Sequence, residues 1–403
     1  MSVRALTPAK ARGLFPAVKH LAYLNAAASS PLARPVEKAA ADHLRETAEW
    51  GDRGFPRWLA RKEQIRTSFA EYLGASAGEV AFTPSTSMGF HAVGRMLVDA
   101  GVREVVTLEQ EFPSTTLPLL HVGLKLVVVR PRADGSYAVD DLERAVTRRT
   151  GAVAVSAVQY SSGFRIDLGA VARLCQAKKL FFAVNGAQAL GQVPIDVRKA
   201  RIDFLCGTSH KWMMGGFGVG LFYARSALLE KAALPFAGWL STKAPMAMDG
   251  FVGAKTHGRE RAAPGESFTA TGLEARRDAA ALEAGSGPWA PMLGFGAALE
   301  LHRRIGIDAV EAHNARLQQV LRPRLRSLGF TPNAPDEPSV GSGICVIKPA
   351  GDARAVASEL AKNGVLVSPR GGGIRISTHL FNNEDDLDRL FWAMNRVDVQ
   401  PLC

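Results

Sequence analysis

The chain has 403 residues, 47% hydrophobic and 22% charged, with a mean hydropathy of +0.01. That is the composition of an ordinary globular protein too long for one small core, and no apolar run approaches the roughly 20 residues of a membrane span. Its 49 basic and 38 acidic residues leave a net charge of +11, but the basic residues are scattered and lack interleaved aromatics, so nucleic acid is not an expected partner.

The first 20 residues carry positive charge without a continuous apolar stretch, so no signal peptide is expected and a cytoplasmic location is. From about residue 75 to 225, strand-like and helix-like segments alternate. The strand candidates are VAFT (80–83), EVVTL (104–108), LKLVVVR (124–130), GAVAVSAVQ (151–159), LFFAV (180–184), FLCGT (204–208) and VGLFYA (219–224). Between them AVDDLERAVTRR and DLGAVARLCQAKK place apolar residues at three- and four-residue spacing. Such alternation predicts a largely parallel sheet covered on both faces. A Gly-, Pro- and charge-rich stretch, 238–267, reads as long loops containing Trp239. Two helices follow, at about 291–306 and 308–328, and the last ~115 residues read as a smaller α+β unit.

Cys175, Cys206, Cys345 and Cys403 are widely spaced, without a C-x-x-C or a nearby His pair, so neither a metal site nor a disulfide framework is expected. In CGTSHKWMMGGFGVGLFYAR (206–225), Lys211 follows a strand ending in Thr208, Ser209 and His210. The glycines fit neither G-x-G-x-x-G nor a P-loop, in which they precede the lysine. A lysine at a strand end among small hydroxyl residues suits a Schiff base beside an anion cradle; taken alone it reads as a surface lysine, and the surrounding set changes that reading. Ser85, Thr86 and Ser87 open a helix after a strand, where free N–H groups bind phosphate or simply cap the helix.

Taken together, SHKWMMGGFGVGLFY, AVNGAQALGQVPIDV, YLNAAASSP (23–31) and IRISTHLFN (374–382) resemble the class V aminotransferase family of pyridoxal-phosphate enzymes, which includes cysteine desulfurases, kynureninase and isopenicillin N epimerase. The resemblance implies the fold type I architecture of PLP-dependent transferases: a large α/β domain on a mainly parallel seven-stranded sheet (21–285), and a small α+β domain (1–20 and 286–403). It implies pyridoxal 5′-phosphate on Lys211 as an internal aldimine, Lys211 also shuttling the Cα proton. Thr86, Ser87, Thr208 and His210 correspond to phosphate contacts, Phe112 to the aromatic that stacks on the ring, and Gln188 to the partner of the phenolic oxygen or the lysine. Ser286 corresponds to a residue that reaches the neighbouring subunit's cofactor, which implies a homodimer. Arg375 corresponds to the arginine that grips the substrate α-carboxylate, with Asn25 and, more loosely, Tyr160 and Arg34 in the same pocket.

Two positions depart from the family pattern. Cysteine desulfurases carry a catalytic cysteine shortly before the carboxylate-binding arginine, where this chain reads VLVSPRGGGIRIS. Persulfide formation by that route is therefore not expected. Asn185 stands where the family has an aspartate against the pyridine nitrogen. A carboxylate there holds the nitrogen protonated, whereas an amide makes a weaker electron sink. Transamination needs electrons stored in the cofactor; β-elimination sends them out through a leaving group, and epimerisation returns a proton promptly. The expectation is Cα–H abstraction from an L-amino acid followed by β-elimination, as in a C–S lyase. Epimerase, aminotransferase and a catalytically impaired binding protein are the alternatives.

Overall fold

In the computed structural model the described residues are 6–132, 135–231, 233–243, 245, 275–333, 337–370 and 372–402. The chain enters through the short strand β1 (Ala22–Tyr23) and two helices, Arg34–Trp50 and Phe55–Leu73. The expected seven strands follow: β2 (Val80–Thr83), β3 (Glu104–Leu108), β4 (Lys125–Val129), β5 (Thr150–Ser156), β6 (Phe181–Asn185), β7 (Phe204–Thr208) and β8 (Gly220–Ala224). They form one sheet in the order β2-β8-β7-β6-β5-β3-β4, parallel from β7 through β4, with β8 antiparallel to both its neighbours.

The central strands are buried along almost their whole length because helices cover both faces of the sheet, which leaves no solvent side for alternation to mark. Within this sheet only β4, at one edge, has exposed residues, Lys125 and Val128. Two of the crossover helices begin at side-chain caps that accept first-turn N–H groups: Ser85 before Thr86–Asp99, and Asp167 before Leu168–Lys178.

The C-terminal unit contributes β9 (Ile344–Ile347), β10 (Val365–Leu366), β11 (Ser368–Arg370) and β12 (Gly373–Ser377). Strands β11, β12 and β9 form an antiparallel sheet, and β10 pairs with β1 in parallel. One apolar core joins Ala22 and Leu24 to Leu317, Leu321, Leu360, Ile376 and Leu390. The helix Trp289–Ile305, by contrast, packs Met292, Phe295 and Leu299 into the core of the large sheet. Packing thus sets 22–24 with the small unit and 289–305 with the core of the large sheet. Of the stretch read above as long loops, residues 246–267 lie outside the described residues, as does Cys403. No helix among the described residues is long and apolar enough to cross a membrane.

Candidate active site

Ligands of open α/β sheets bind beyond the carboxyl ends of the strands, and the expected site residues lie there. Thr86 follows β2, Phe112 follows β3, Tyr160 follows β5, Asn185 ends β6 with Gln188 just after it, and Thr208, His210 and Lys211 close β7. Arg375 and Asn25 come from the small unit, where Asn25 bridges Ser377 on β12 and accepts a hydrogen bond from Ser368.

Lys211 is half-buried, and its Nζ lies 5.3 Å from the centroid of the Phe112 ring. Burial, then the charges of Arg375 and Arg370, push its amine down to about 7. At neutral pH a large fraction is therefore the unprotonated nucleophile that Schiff-base chemistry requires. The backbone that carries it is clamped. His302 Nε2 and His379 Nε2 donate to the Trp212 carbonyl at 3.0 and 2.8 Å, and Trp212 Nε1 donates to Gln188 Oε1 at 2.8 Å. Burial holds both imidazoles neutral, His302 down to about 4 and His379 well below its ordinary value. Gly191 (φ +96°) lies against this segment so closely that a Cβ would fall 2.4 Å from the Trp212 carbonyl, so only glycine fits.

The residues expected to contact the phosphate also converge. Thr86 Oγ1 donates to the Gly207 carbonyl at 2.8 Å, which joins the helix start to β7, and Ser85 Oγ accepts the Met88 N–H of the first turn. Thr208 Oγ1 lies 2.7 Å from His210 Nδ1, and the His210 ring stacks on Phe217 at 4.3 Å. Burial first, and Lys211 second, push His210 down to about 4. Ser87 lines an open cleft with His91, Phe112 and Leu117. Ser286 is exposed in the loop before Trp289–Ile305.

Arg375, the arginine expected to meet the substrate, is only 2% exposed; its Nη1 donates to the Tyr160 carbonyl at 3.2 Å, and its Nε is buried without a partner. Among the described residues no carboxylate pairs with it. Tyr160 packs edge-on against Phe112, ring centroids 5.3 Å apart, which joins this pocket to the lysine. Arg34 is exposed in the first turn of its helix.

Gln188 is firmly held: its Nε2 donates to the Ala27 carbonyl at 2.9 Å while its Oε1 accepts from Trp212, so one amide hydrogen is left for a ligand. Asn185 is held as tightly. Its Nδ2 donates to Thr115 Oγ1 at 2.8 Å and its Oδ1 accepts from the Ala187 N–H at 2.9 Å.

Sequence reasoning missed three features. Arg370 lies on the same face of the β11–β12 hairpin as Arg375, because Ser368, two residues before it, is Arg375's cross-strand partner. The pair His302 and His379, 77 positions apart, meets only in the fold. Glu111, adjacent to Phe112, is buried behind Asn185.

The site thus brings together a half-buried lysine of lowered proton affinity, a helix start, an aromatic ring beside the lysine, an amide at a strand end and an arginine that no carboxylate pairs with among the described residues. They fit pyridoxal phosphate. The family model described as Aminotransferase class-V matches residues 22–256 and 265–390. An uncharacterized aminotransferase, YcbU, of Bacillus subtilis is 26% identical over 94% of this chain and 95% of its own. A probable cysteine desulfurase of Methanothermobacter thermautotrophicus is 26% identical over 95% and 96%. The apo structure of a cysteine desulfurase from Thermococcus onnurineus NA1 superposes with a TM-score of 0.84 at 21% identity, covering 97% of this chain and 98% of that one. The chain belongs to the class V aminotransferase family of pyridoxal-phosphate enzymes and has the type I fold of such enzymes.

Proposed function

We propose that the protein catalyses β-elimination on an L-amino acid that carries a leaving group at Cβ, without forming a protein persulfide. Pyridoxal phosphate, when bound, supplies a carbonyl for the substrate amine and a ring that withdraws electrons from Cα. The first-turn N–H groups of Thr86 and Ser87, with Thr208 and His210, would hold its phosphate, and Phe112 would cover its face. Arg375 binds the substrate carboxylate through its free edge. Lys211, near neutrality in its proton affinity, removes the Cα proton and can return it to the leaving group.

The observation that carries this reading is the placement of the thiols. Cys175 lies in a crossover helix, Cys206 in β7 and Cys345 in β9, and all three are buried. Burial pushes the thiol of Cys175 up to about 12 and that of Cys206 higher still, so neither is a ready nucleophile. The hairpin beside the lysine presents Arg370 and Arg375 instead.

A homodimer accompanies this reading. Phe112, Leu117, Leu120, Met88 and Phe217 are large apolar residues exposed around the site, with Leu117 at 61% and Phe217 at 66%. A second copy of the chain would cover such a surface, with Ser286 placed to reach its cofactor.

The test is a product screen with L-amino acids bearing sulfur or oxygen leaving groups at Cβ. Equal yields of 2-keto acid and ammonia are expected, undiminished after exposed thiols are alkylated. Alanine with a protein persulfide would overturn the reading in favour of desulfuration. Loss of optical activity alone would favour the epimerase, and bound cofactor without turnover the impaired binding protein.

A further inference from the structure

A continuous hydrogen-bonded chain runs from Asn185 to a buried carboxylate. Asn185 Nδ2 donates to Thr115 Oγ1 at 2.8 Å, and Thr115 Oγ1 donates to Glu111 Oε2 at 3.2 Å. The threonine hydroxyl has a single hydrogen, and the amide already occupies its oxygen as an acceptor, so that hydrogen points to Glu111. Glu111 Oε1 receives the Ser156 N–H at 2.6 Å and Gln159 Nε2 at 3.0 Å, and Oε2 also receives Ser156 Oγ. Four donors match the roughly four lone-pair sites of an ionised carboxylate.

The environment of Glu111 makes that charge unusual. Thr115 is fully buried, Asn185 is 4% exposed and Glu111 is 7% exposed. Among the described residues no cation forms an ion pair with Glu111. Burial pushes its carboxyl above the usual carboxylate range while its four donors pull the other way. A buried anion is costly unless a positive group stands near it. The chain leads to one place where such a group would sit, the end of β6 that faces the cofactor ring.

We propose that Glu111 is a positioning residue that supplies, through Thr115, the negative charge missing at Asn185. The carboxylate polarises the Thr115 hydroxyl, which fixes and polarises the Asn185 amide, and linked hydrogen bonds of this kind strengthen one another. The amide cannot flip, because Oδ1 is tied to the Ala187 N–H and Nδ2 to Thr115. A protonated ring nitrogen at Asn185 would then be the counter-ion of Glu111, held by a field weaker than a directly bonded carboxylate would give. This inference rests on the cofactor placement proposed above and adds an electron sink of intermediate strength.

The test uses the holoenzyme loaded with cofactor labelled with nitrogen-15 at the ring nitrogen, read by NMR across pH. Glu111→Gln keeps the shape of the side chain and removes its charge. It is expected to lower the apparent pKa of the ring nitrogen by at least about one unit, a tenfold loss of the protonated form. Thr115→Val keeps the charge but cuts the chain, and is expected to produce a smaller shift of the same sign. A Glu111→Gln holoenzyme whose ring nitrogen titrates as in the wild type overturns the proposal. If Glu111→Gln does not fold, an unshifted Thr115→Val decides against it equally. A wild-type protein that takes up no cofactor on Lys211 would instead overturn the site reading on which the inference rests.

Discussion

Lys211→Ala lowers kcat by at least about 10⁴-fold, the upper range for loss of a general base, because one amine serves as both the covalent anchor and the proton carrier. The loss is expected in a protein that remains folded, since Lys211 takes part in no ion pair among the described residues and the clamp on Trp212 is built from other side chains. Borohydride reduction should fix cofactor to the wild type at Lys211 and leave the variant unlabelled. The pH dependence of this attachment follows from the sign of the shift. An amine held at about 7 is protonated below that pH and loses nucleophilicity about tenfold per unit, while above it the rate levels off. An attachment rate that continued to climb toward pH 10 would show that the pocket does not tune the lysine.

Arg375→Ala raises KM by about 100-fold, because it removes a charge-assisted fork worth roughly 3 kcal/mol. Its effect on kcat should be much smaller, since the guanidinium grips the part of the substrate that does not react. Arg375→Lys should recover only part of the affinity: an ammonium cannot hold the Tyr160 carbonyl and a carboxylate with the same planar geometry. A second consequence separates this role from a merely structural one. Arg375 is the larger of the two charges that lower Lys211, so its removal shifts the pH dependence of the lysine toward higher pH. Steady-state kinetics across pH check both effects; an unchanged KM would contradict the assignment.

The large sheet was legible because its strands are short apolar runs separated by amphipathic helices, a pattern set by burial on both faces. Thr86, Phe112, Asn185 and Lys211 follow strand ends that the pattern marks, whereas the roles expected of them came from the family resemblance. β1 was not: two residues, Ala22 and Tyr23, have no periodicity, and only their pairing with Val365 and Leu366 makes them a strand. The helix Trp289–Ile305 looked like the start of the small unit because it follows the loop-rich stretch, yet Phe295 and Leu299 find their partners in the large core. Glu111 escaped notice because its partners Ser156 and Gln159 lie 45 and 48 positions away, brought together by the β3–β5 pairing. Arg370 escaped because hairpin register, rather than spacing, sets which face it shares. Asn185 stood out even in the sequence, as a polar residue ending an apolar run.

That amide bears on the central claim, that this site sends electrons out through a leaving group in preference to storing them in the cofactor. The direct measurement is the partition between 2-keto acid release and conversion of the cofactor to its pyridoxamine form, compared for wild type and Asn185→Asp with the same amino acid. The account predicts that elimination dominates in the wild type and that the Asp variant shifts the ratio toward the pyridoxamine form by about tenfold, the effect of about one unit at the ring nitrogen. An identical ratio in the two proteins, or a wild type that accumulates the pyridoxamine form, would contradict it.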